Sequence, residues 1–192
     1  MANIVIVQGH PDTERTRFCR VLGEGYRDGA LKAGHSVTMI DIAAVDFECL
    51  RSKAEWQQPM APGELLHAQN LIQAADHLVF VFPLWLGTLP ALMKGFLEQV
   101  FRPGFAFTPS APGLNGRLRG RSSRTIVTMG MPALLYRLWF LSHGVAAFQR
   151  SILKLVGISP NKLTLIGSIE TISERRRLGW IEHVQRLGAR AK

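Results

Sequence analysis

The chain has 192 residues, of which 47% are hydrophobic and 19% are charged. This composition excludes a mostly disordered chain, because disorder requires low hydrophobicity and a high density of charge. Lys and Arg outnumber Asp and Glu by 23 to 14, and the net charge of +9 favours anionic partners. The length matches one ordinary domain and no linker divides it, so we predict a single domain over residues 1–192.

Cysteine content and hydropathy bear on where the protein resides. Cys19 and Cys49 are too few for a disulfide framework, and the sequence contains no CxxC or HExxH spacing for a metal. No basic n-region and long apolar segment mark a signal peptide at the start. The longest uncharged stretch, residues 78–93, contains prolines and is shorter than the roughly 20 residues of a membrane-spanning helix. We expect a cytoplasmic protein without a bound metal.

Strands and helices are predicted to alternate along the chain. Short apolar, β-branched runs predict buried strands, and stretches with helical spacing of apolar residues predict helices. The predicted strands are residues 3–8, 36–41, 77–82, 124–129 and 162–166. The predicted helices are residues 17–33, 64–75, 89–101, a stretch within 133–156, and 173–190, while 42–62 and 102–120 are predicted as loops because of their prolines and glycines.

Five β–α repeats without a hairpin signal predict an α/β fold, a doubly wound parallel sheet with helices on both faces. Right-handed crossovers favour the strand order 2-1-3-4-5. In such sheets ligands bind beyond the carboxyl ends of the strands, at the switch point between strands one and three. The loops after strands one, three and four are therefore the candidate site.

The loop after strand one, residues 9–16, leads into a helix N-terminus, where free N–H groups and the helix dipole favour an anion. Thr16 adds a hydroxyl, and His10 and Arg17 add positive charge. The loop therefore predicts a phosphate site, although it is neither a Walker A nor a GxGxxG motif. The alternative is that Thr16 is only a helix N-cap and that His10 shapes a turn.

The loop after strand three is apolar and carries Trp85 at the edge of the sheet where ligands bind. A planar aromatic cofactor packed against Leu84 and Trp85 would explain such a loop. The alternative is that Trp85 and Leu86 are contacts of the core or of an oligomer.

Beyond strand four lie Tyr136 and His143. Seven residues apart on one helix, they would share nearly the same face, two turns apart. A phenol and an imidazole can supply hydrogen bonds and protons to a reducible oxygen. The alternative is that both are packing residues.

The block FPLWLGTLPALMKGFLEQVF at residues 82–101, followed by PGFAF at 103–107, resembles the signature of the NAD(P)H:quinone oxidoreductases. The Gly9-His10-Pro11 turn and the segment from Tyr136 to His143 follow in the same order, so the resemblance covers essentially the whole chain. It implies a flavodoxin-like fold, reduction of a bound flavin by NAD(P)H, and then reduction of a quinone in a ping-pong reaction. It also implies a homodimer with active sites at the interface.

The resemblance further assigns roles by position. Those on the phosphate side of the flavin are His10, Thr16, Arg17, Phe18 and Cys19; those at the ring system are Pro83, Leu84, Trp85, Leu86, Thr128 and Gly130. Gln69 corresponds to an adenine contact, and Tyr136 and His143 to the pair that assists hydride and proton transfer. The resemblance implies a flavin cofactor, and His10 in the first loop favours FAD over FMN. Cys19 stands where FAD-binding members often have asparagine, so FMN remains the alternative.

Two other functions compete with a quinone reductase. A one-electron flavodoxin carrier is typically acidic, which does not match +9. A regulatory flavoprotein subunit docked on a membrane potassium-efflux transporter would use the arginines at 117–124 and 175–177 against an anionic membrane. The alternatives are that these arginines form solvated faces, or that one of them binds the 2′-phosphate of NADPH. No nucleic-acid-binding motif accompanies the charge, so we expect no nucleic-acid partner.

Overall fold

A computed structural model describes residues 1–58, 61–108 and 115–191. The strands are β1 (Asn3–Gln8), β2 (Ser36–Asp41), β3 (His77–Pro83), β4 (Ser122–Thr128) and β5 (Asn161–Ile166). The helices are α1 (Phe18–Lys32), α2 (Lys53–Trp56), α3 (Glu64–Ala74), α4 (Ala91–Val100), α5 (Ala133–Leu138), α6 (His143–Ala147) and α7 (Glu174–Ala189), with a π-helical segment at Phe148–Leu153. All strand pairs are parallel and the order is β2-β1-β3-β4-β5, which confirms the predicted sheet.

Two predicted segments differ from the structure. Residues 42–62 contain a short helix, α2, that begins where the Ser52 hydroxyl accepts a hydrogen bond from the Glu55 N–H. The helical stretch after β4 is broken because Leu141 and Ser142 both adopt left-handed backbone, with φ of 49° and 52°. Of the predicted loop 102–120, residues 109–114 lie outside the described part of the chain.

The sheet has an apolar core on each face. Every residue of β3 is buried, and alternate side chains point to opposite faces. Phe80 and Phe82 join the cluster with α3, α4 and the π-helical segment, while Val79 and Val81 join the cluster with α1 and α7. In the described residues, no helix combines the length and the apolar character needed to cross a membrane.

Helices α1 and α7 approach each other closely because glycines stand at their contacts. A Cβ at Gly29 would overlap the backbone of Gln185, and one at Gly188 would overlap the backbone of Tyr26. Gly179, also on α7, has open space around it. The last helix is therefore held against α1 by backbone-to-backbone packing that only glycine permits.

Gly29→Ala is expected to lower the free energy of unfolding by about 1–3 kcal/mol, because the added methyl overlaps backbone atoms that cannot rotate away. The matched variant Gly179→Ala is expected to raise it by up to about 1 kcal/mol, because alanine favours helix and meets nothing. Urea unfolding of both variants measures the difference. Equal effects of the two substitutions would contradict the close packing of α1 on α7.

Candidate functional site

The loop after β1 is fixed against β3 by Gly9. Its N–H donates to the Val81 carbonyl at 2.7 Å, and a Cβ here would overlap Met93 Sδ. A larger residue at the end of β1, where the backbone lies against β3 and α4, would therefore require the Met93 side chain to shift. This contact directs His10 to the carboxyl edge of the sheet, as the parallel topology predicts.

A cavity of about 550 Å³ lies at this edge, a size typical of small-molecule sites. It brings together most of the residues that the sequence assigns to cofactor binding: His10, Thr16, Arg17, Phe18, Cys19, Pro83, Trp85 and Thr128. Phe18 and Cys19 occupy the first turn of α1, where backbone N–H groups have no acceptor within the helix. The Thr16 hydroxyl donates to Glu14 Oε1 at 2.9 Å and does not cap α1.

An ion pair and a buried arginine order the mouth of the cavity. Arg17 pairs with Asp12 at 2.7 Å, and a hydrogen bond from the Glu14 N–H together with Arg17 lowers the pKa of that carboxyl. Arg20, buried, donates to the Asp12 carbonyl at 2.7 Å and to both carboxylate oxygens of Asp41 at the end of β2. Such bidentate pairing fixes geometry, so the first loop is held to β2 as well as to β3.

Burial controls the chemistry of the groups in the cavity wall. It raises the pKa of the Cys19 thiol to about 12, so this cysteine is a neutral packing residue and not a nucleophile. The buried Thr128 hydroxyl beside it makes no hydrogen bond of acceptable geometry within the described residues. Burial lowers the pKa of His10, whose Nδ1 accepts the Asp12 N–H at 3.0 Å, which leaves Nε2 to carry the proton of the neutral ring.

Trp85 stands at the start of a tight turn closed by two hydrogen bonds with Thr88, of 2.9 and 3.0 Å. Its ring is half-exposed and meets His10 edge-on, with 6.1 Å between the ring centroids. Leu86 has a φ of 46° and a fully exposed side chain, outside the cavity. Leu84 also lies outside it, half-buried against the core. Of the ring contacts predicted in this loop, Pro83 and Trp85 line the cavity.

Gln69 and Gly130 are two further assigned residues that do not line the cavity. Gln69 is buried on α3, where its amide donates to the Val100 carbonyl at 2.9 Å and accepts the Ala61 N–H at 3.1 Å. Its side chain is engaged in holding loops together within this chain. Gly130 lies next to Glu170 at the cavity wall, where a Cβ would stand 3.2 Å from Glu170 Oε1.

Tyr136 and His143 do not share a helical face, so that prediction is wrong. The left-handed residues between α5 and α6 turn the chain; Tyr136 is buried on α5, and His143 is exposed at the start of α6. The Tyr136 hydroxyl donates to the Gly87 carbonyl at 2.9 Å and accepts the Val145 N–H at 3.3 Å. Burial raises its pKa. Tyr136 thus ties α6 to the turn that carries Trp85.

Four residues of the cavity wall were not assigned from the sequence: Asp12, Ile169, Glu170 and Arg177. Arg177 donates to the Ile169 carbonyl at 2.7 Å, and its guanidinium lies 5.1 Å from the centre of the Phe18 ring. The run of three arginines at the start of α7 was the available signal. Only the fold shows that Arg177 turns toward this cavity, while its neighbours do not line it.

A second, apolar cavity of about 570 Å³ lies on the other side of the Trp85 turn. Its walls include Leu86, Pro90, Gly144 and Phe148. Trp85 lines both cavities, so one ring separates a polar, cation-bearing site from an apolar one.

The model of a protein family described as a flavodoxin-like fold matches residues 2–189. The chain belongs to this flavodoxin-like family. It is 24% identical over 184 residues to an uncharacterized NAD(P)H oxidoreductase of Haemophilus influenzae, covering 94% of this chain and 91% of that protein. It is 26% identical over 190 residues to NAD(P)H dehydrogenase (quinone) 1 of Rattus norvegicus, covering 86% and 68%.

Two more similarities bear on this flavodoxin-like chain. The crystal structure of Smu.1420 from Streptococcus mutans UA159 superposes with a TM-score of 0.81 at 29% identity, over 97% of this chain and 98% of that one. A shorter match, 38% identical over 74 residues and 38% of each chain, is to the glutathione-regulated potassium-efflux system ancillary protein KefG of Cronobacter sakazakii. The resemblance to quinone reductases stated from residues 82–107 is thereby confirmed.

Leu86→Asn is expected to raise the free energy of unfolding by about 1 kcal/mol, because asparagine tolerates the left-handed backbone that costs leucine about 1–2 kcal/mol. Because the Leu86 side chain is fully exposed, replacing it loses no buried contact within the chain. Leu86→Ala, which removes the same side chain but does not tolerate the left-handed backbone as asparagine does, is the matched control and should be less stable than Leu86→Asn. Thermal unfolding of both is the measurement, and equal stability of the two variants would refute strain at Leu86.

Proposed function

We propose that this chain is a flavin-dependent NAD(P)H oxidoreductase that reduces quinones or related acceptors by ping-pong hydride transfer. The supporting observation is the cavity at the ends of β1, β3 and β4, which joins a helix start and two arginines to a half-exposed tryptophan. In doubly wound sheets of this order, the β1/β3 switch point is where flavodoxin holds its flavin. Relatives named NAD(P)H oxidoreductase and NAD(P)H dehydrogenase (quinone) support the same activity.

The residues of the cavity fit the two ends of a flavin. Arg17 and Arg177, with the first-turn N–H groups of α1, suit a phosphate. Trp85 offers a half-exposed ring, and the Thr128 hydroxyl in the cavity wall offers a hydrogen bond to a ring heteroatom. We propose FAD as the cofactor, with FMN as the alternative. When bound, the flavin would accept a hydride equivalent from NAD(P)H and pass two electrons to the acceptor.

The purified protein is expected to be yellow, with one flavin per chain. Mass analysis of the released flavin distinguishes FAD from FMN. Arg177→Gln is expected to weaken flavin binding about tenfold, because a charge-assisted hydrogen bond to phosphate is lost. Arg150→Gln, exposed and away from the cavity, should bind as the wild type does. A protein that shows no flavin absorption after reconstitution with both FMN and FAD would refute the flavin and the enzymatic activity with it.

We further propose that Tyr136 and His143 serve the chemical step. The resemblance supports this role, and Tyr136 lies directly beneath the turn that presents Trp85 to the cavity. A phenol and an imidazole here would donate hydrogen bonds or protons to the acceptor oxygen as it becomes a hydroxyl. The competing explanation is structural, since the Tyr136 hydroxyl already bridges Gly87 and Val145.

Rapid-mixing kinetics of Tyr136→Phe and His143→Gln, singly and together, separate these two roles. The catalytic role requires at least one half-reaction to slow about tenfold or more with flavin occupancy retained. The double variant should lose less than the product of the single losses, because groups that act as a unit are not additive. A lowered melting temperature with unchanged rates would instead leave Tyr136 as a support of the turn.

We propose that the protein is a homodimer that buries the segment after β4 and the helix α4. Six apolar side chains of that segment are 45–79% exposed: Leu134, Leu135, Leu138, Trp139, Phe140 and Leu141. Together with Trp85 and Leu86, they leave an exposed apolar surface that is unusual for a monomer. In a dimer, this surface would place a second chain beside the Trp85 turn.

Sedimentation of the flavin-loaded protein at micromolar concentration is expected to give a dimer. Leu138→Glu is expected to shift it toward monomer, because a carboxylate would be buried without a partner. Leu178→Glu, on α7 and also exposed, is the matched control. A wild-type protein that sediments as a monomer with flavin bound would refute the dimer.

Docking on a potassium-efflux transporter is a second candidate function, favoured by the match to KefG over 74 residues. Reduction of a quinone by the isolated protein, in the absence of any membrane, would support the enzymatic function on its own. A requirement for membranes that contain such a transporter would favour the second candidate.

A further inference from the structure

A groove of about 1070 Å³ runs between α7 and the outer edge of β5, apart from both cavities described above. We name it the α7–β5 groove; the side chains that characterise it are Arg124, Arg175, Arg176, Arg186, Trp180 and His183. Leu163, Thr164 and Leu165 form the opposite wall. Since alternate residues of a strand point to opposite faces, three consecutive residues in one wall mean that the groove follows the free edge of the sheet.

The groove is strongly cationic. Four arginines line it, and among the described lining residues none is acidic; Glu182, 3.8 Å from Arg186, is an exposed neighbour on the same helix. Arg124 is only 7% exposed and donates to the Thr164 hydroxyl at 2.8 Å, so a guanidinium is fixed in the floor. Burial of such a charge is costly, and like charges gathered on one surface attract anions strongly.

The start of α7 adds to this field. The dipole of a helix favours anions at its N-terminus, yet three arginines follow Glu174 there. Arg177 lines the candidate flavin cavity, whereas Arg175 and Arg176 line the groove. Ser173, at the N-cap, makes no capping hydrogen bond with its side chain and also lines the groove. This placement departs from what helix stability favours, which is typical of binding sites.

Beside the arginines the groove offers a flat apolar surface. Trp180 is half-buried against the α1–α7 core cluster and meets His183 edge-on, with 5.6 Å between the ring centroids. Burial and the nearby Arg186 and Arg124 lower the pKa of His183, which keeps its ring neutral. Gly179 next to Trp180 has nothing within 4 Å, so no packing within the chain explains this helical glycine. Its absent side chain leaves the approach to Trp180 open.

We propose that the α7–β5 groove binds a nucleoside polyphosphate, with its phosphates on the arginines and its base against Trp180. Guanidinium groups bind phosphate with charge-assisted, often bidentate hydrogen bonds, and tryptophan stacks on bases regardless of their identity. Four arginines beside one tryptophan suit a ligand that combines phosphates with an aromatic base better than an anionic surface without one. The site is independent of the proposed flavin, since the two share no lining residue.

Calorimetric titration of the flavin-loaded protein with ATP tests this site. We expect one ATP per chain, with the flavin absorption unchanged. The double variant Arg175→Gln, Arg176→Gln is expected to weaken binding at least about tenfold. Gly179→Leu should do the same by filling the groove without changing the charge. The matched double variant Arg150→Gln, Arg190→Gln removes the same charge from exposed positions outside the groove and should bind ATP as the wild type does.

Pyrophosphate and Trp180→Leu test the contribution of the base. ATP should bind the wild type about fivefold or more tightly than pyrophosphate, and Trp180→Leu should remove that difference. Pyrophosphate binding equal to that of ATP would overturn the nucleotide site and leave only electrostatic adsorption. So would absence of ATP binding up to about 1 mM, or release of the bound flavin by ATP. Binding confined to an oligonucleotide or to phosphatidylserine vesicles would overturn it in favour of those partners.

Discussion

The contact of Gly9 with β3 is the constraint on which the site depends. Strands β1 and β3 pair in parallel up to Gln8 and Val81, and the Gly9 N–H extends that pairing by one hydrogen bond. A Cβ here would overlap Met93 Sδ on α4, so the methionine side chain would have to move. Because the backbone can come this close, the loop after β1 and the loop after β3 face each other, and His10 meets Trp85. The cavity is the space between two loops that start from neighbouring, hydrogen-bonded strands of the sheet.

Around that contact, polar groups order the loops and apolar groups define what enters between them. Arg20 joins the first loop to the end of β2, and Tyr136 joins the turn of the third loop to α6. Neither side chain lines the cavity. Their hydrogen bonds hold the groups that do, which reduces the conformational entropy lost when a ligand binds. The strained Leu86 is a consequence of the same tight turn.

The excess positive charge is not spread evenly over the surface. The three arginines at the start of α7 line two different surfaces, one at the ends of the strands and one along the edge of the sheet. Their helix is anchored by the glycine contacts with α1, so the guanidinium groups project from a rigid support. Because the guanidinium groups have fixed positions, they favour anions whose negative groups match those positions.

The sequence by itself determined the sheet, its strand order and the first and third loops of the site. Strand periodicity and β–α alternation depend on local pattern, and parallel topology then places the loops that follow β1, β3 and β4 at one edge. The block at residues 82–107 was distinctive enough to indicate the family. His10, Pro83, Trp85 and residues 16–19 line the cavity because a short loop between fixed ends has little freedom.

Only the tertiary structure decided the direction of side chains that lie far from those loops. Tyr136 and His143 separated because two left-handed residues break the helix between them, and no periodicity shows such a break. Gln69 turned to the backbone of Val100 because a buried amide must satisfy its hydrogen bonds within the fold. Arg177 faces a different surface from Arg175 and Arg176 because successive residues on a helix point about 100° apart. Which of them faces a cavity depends on the packing of α7 against α1, a long-range contact that local sequence does not encode.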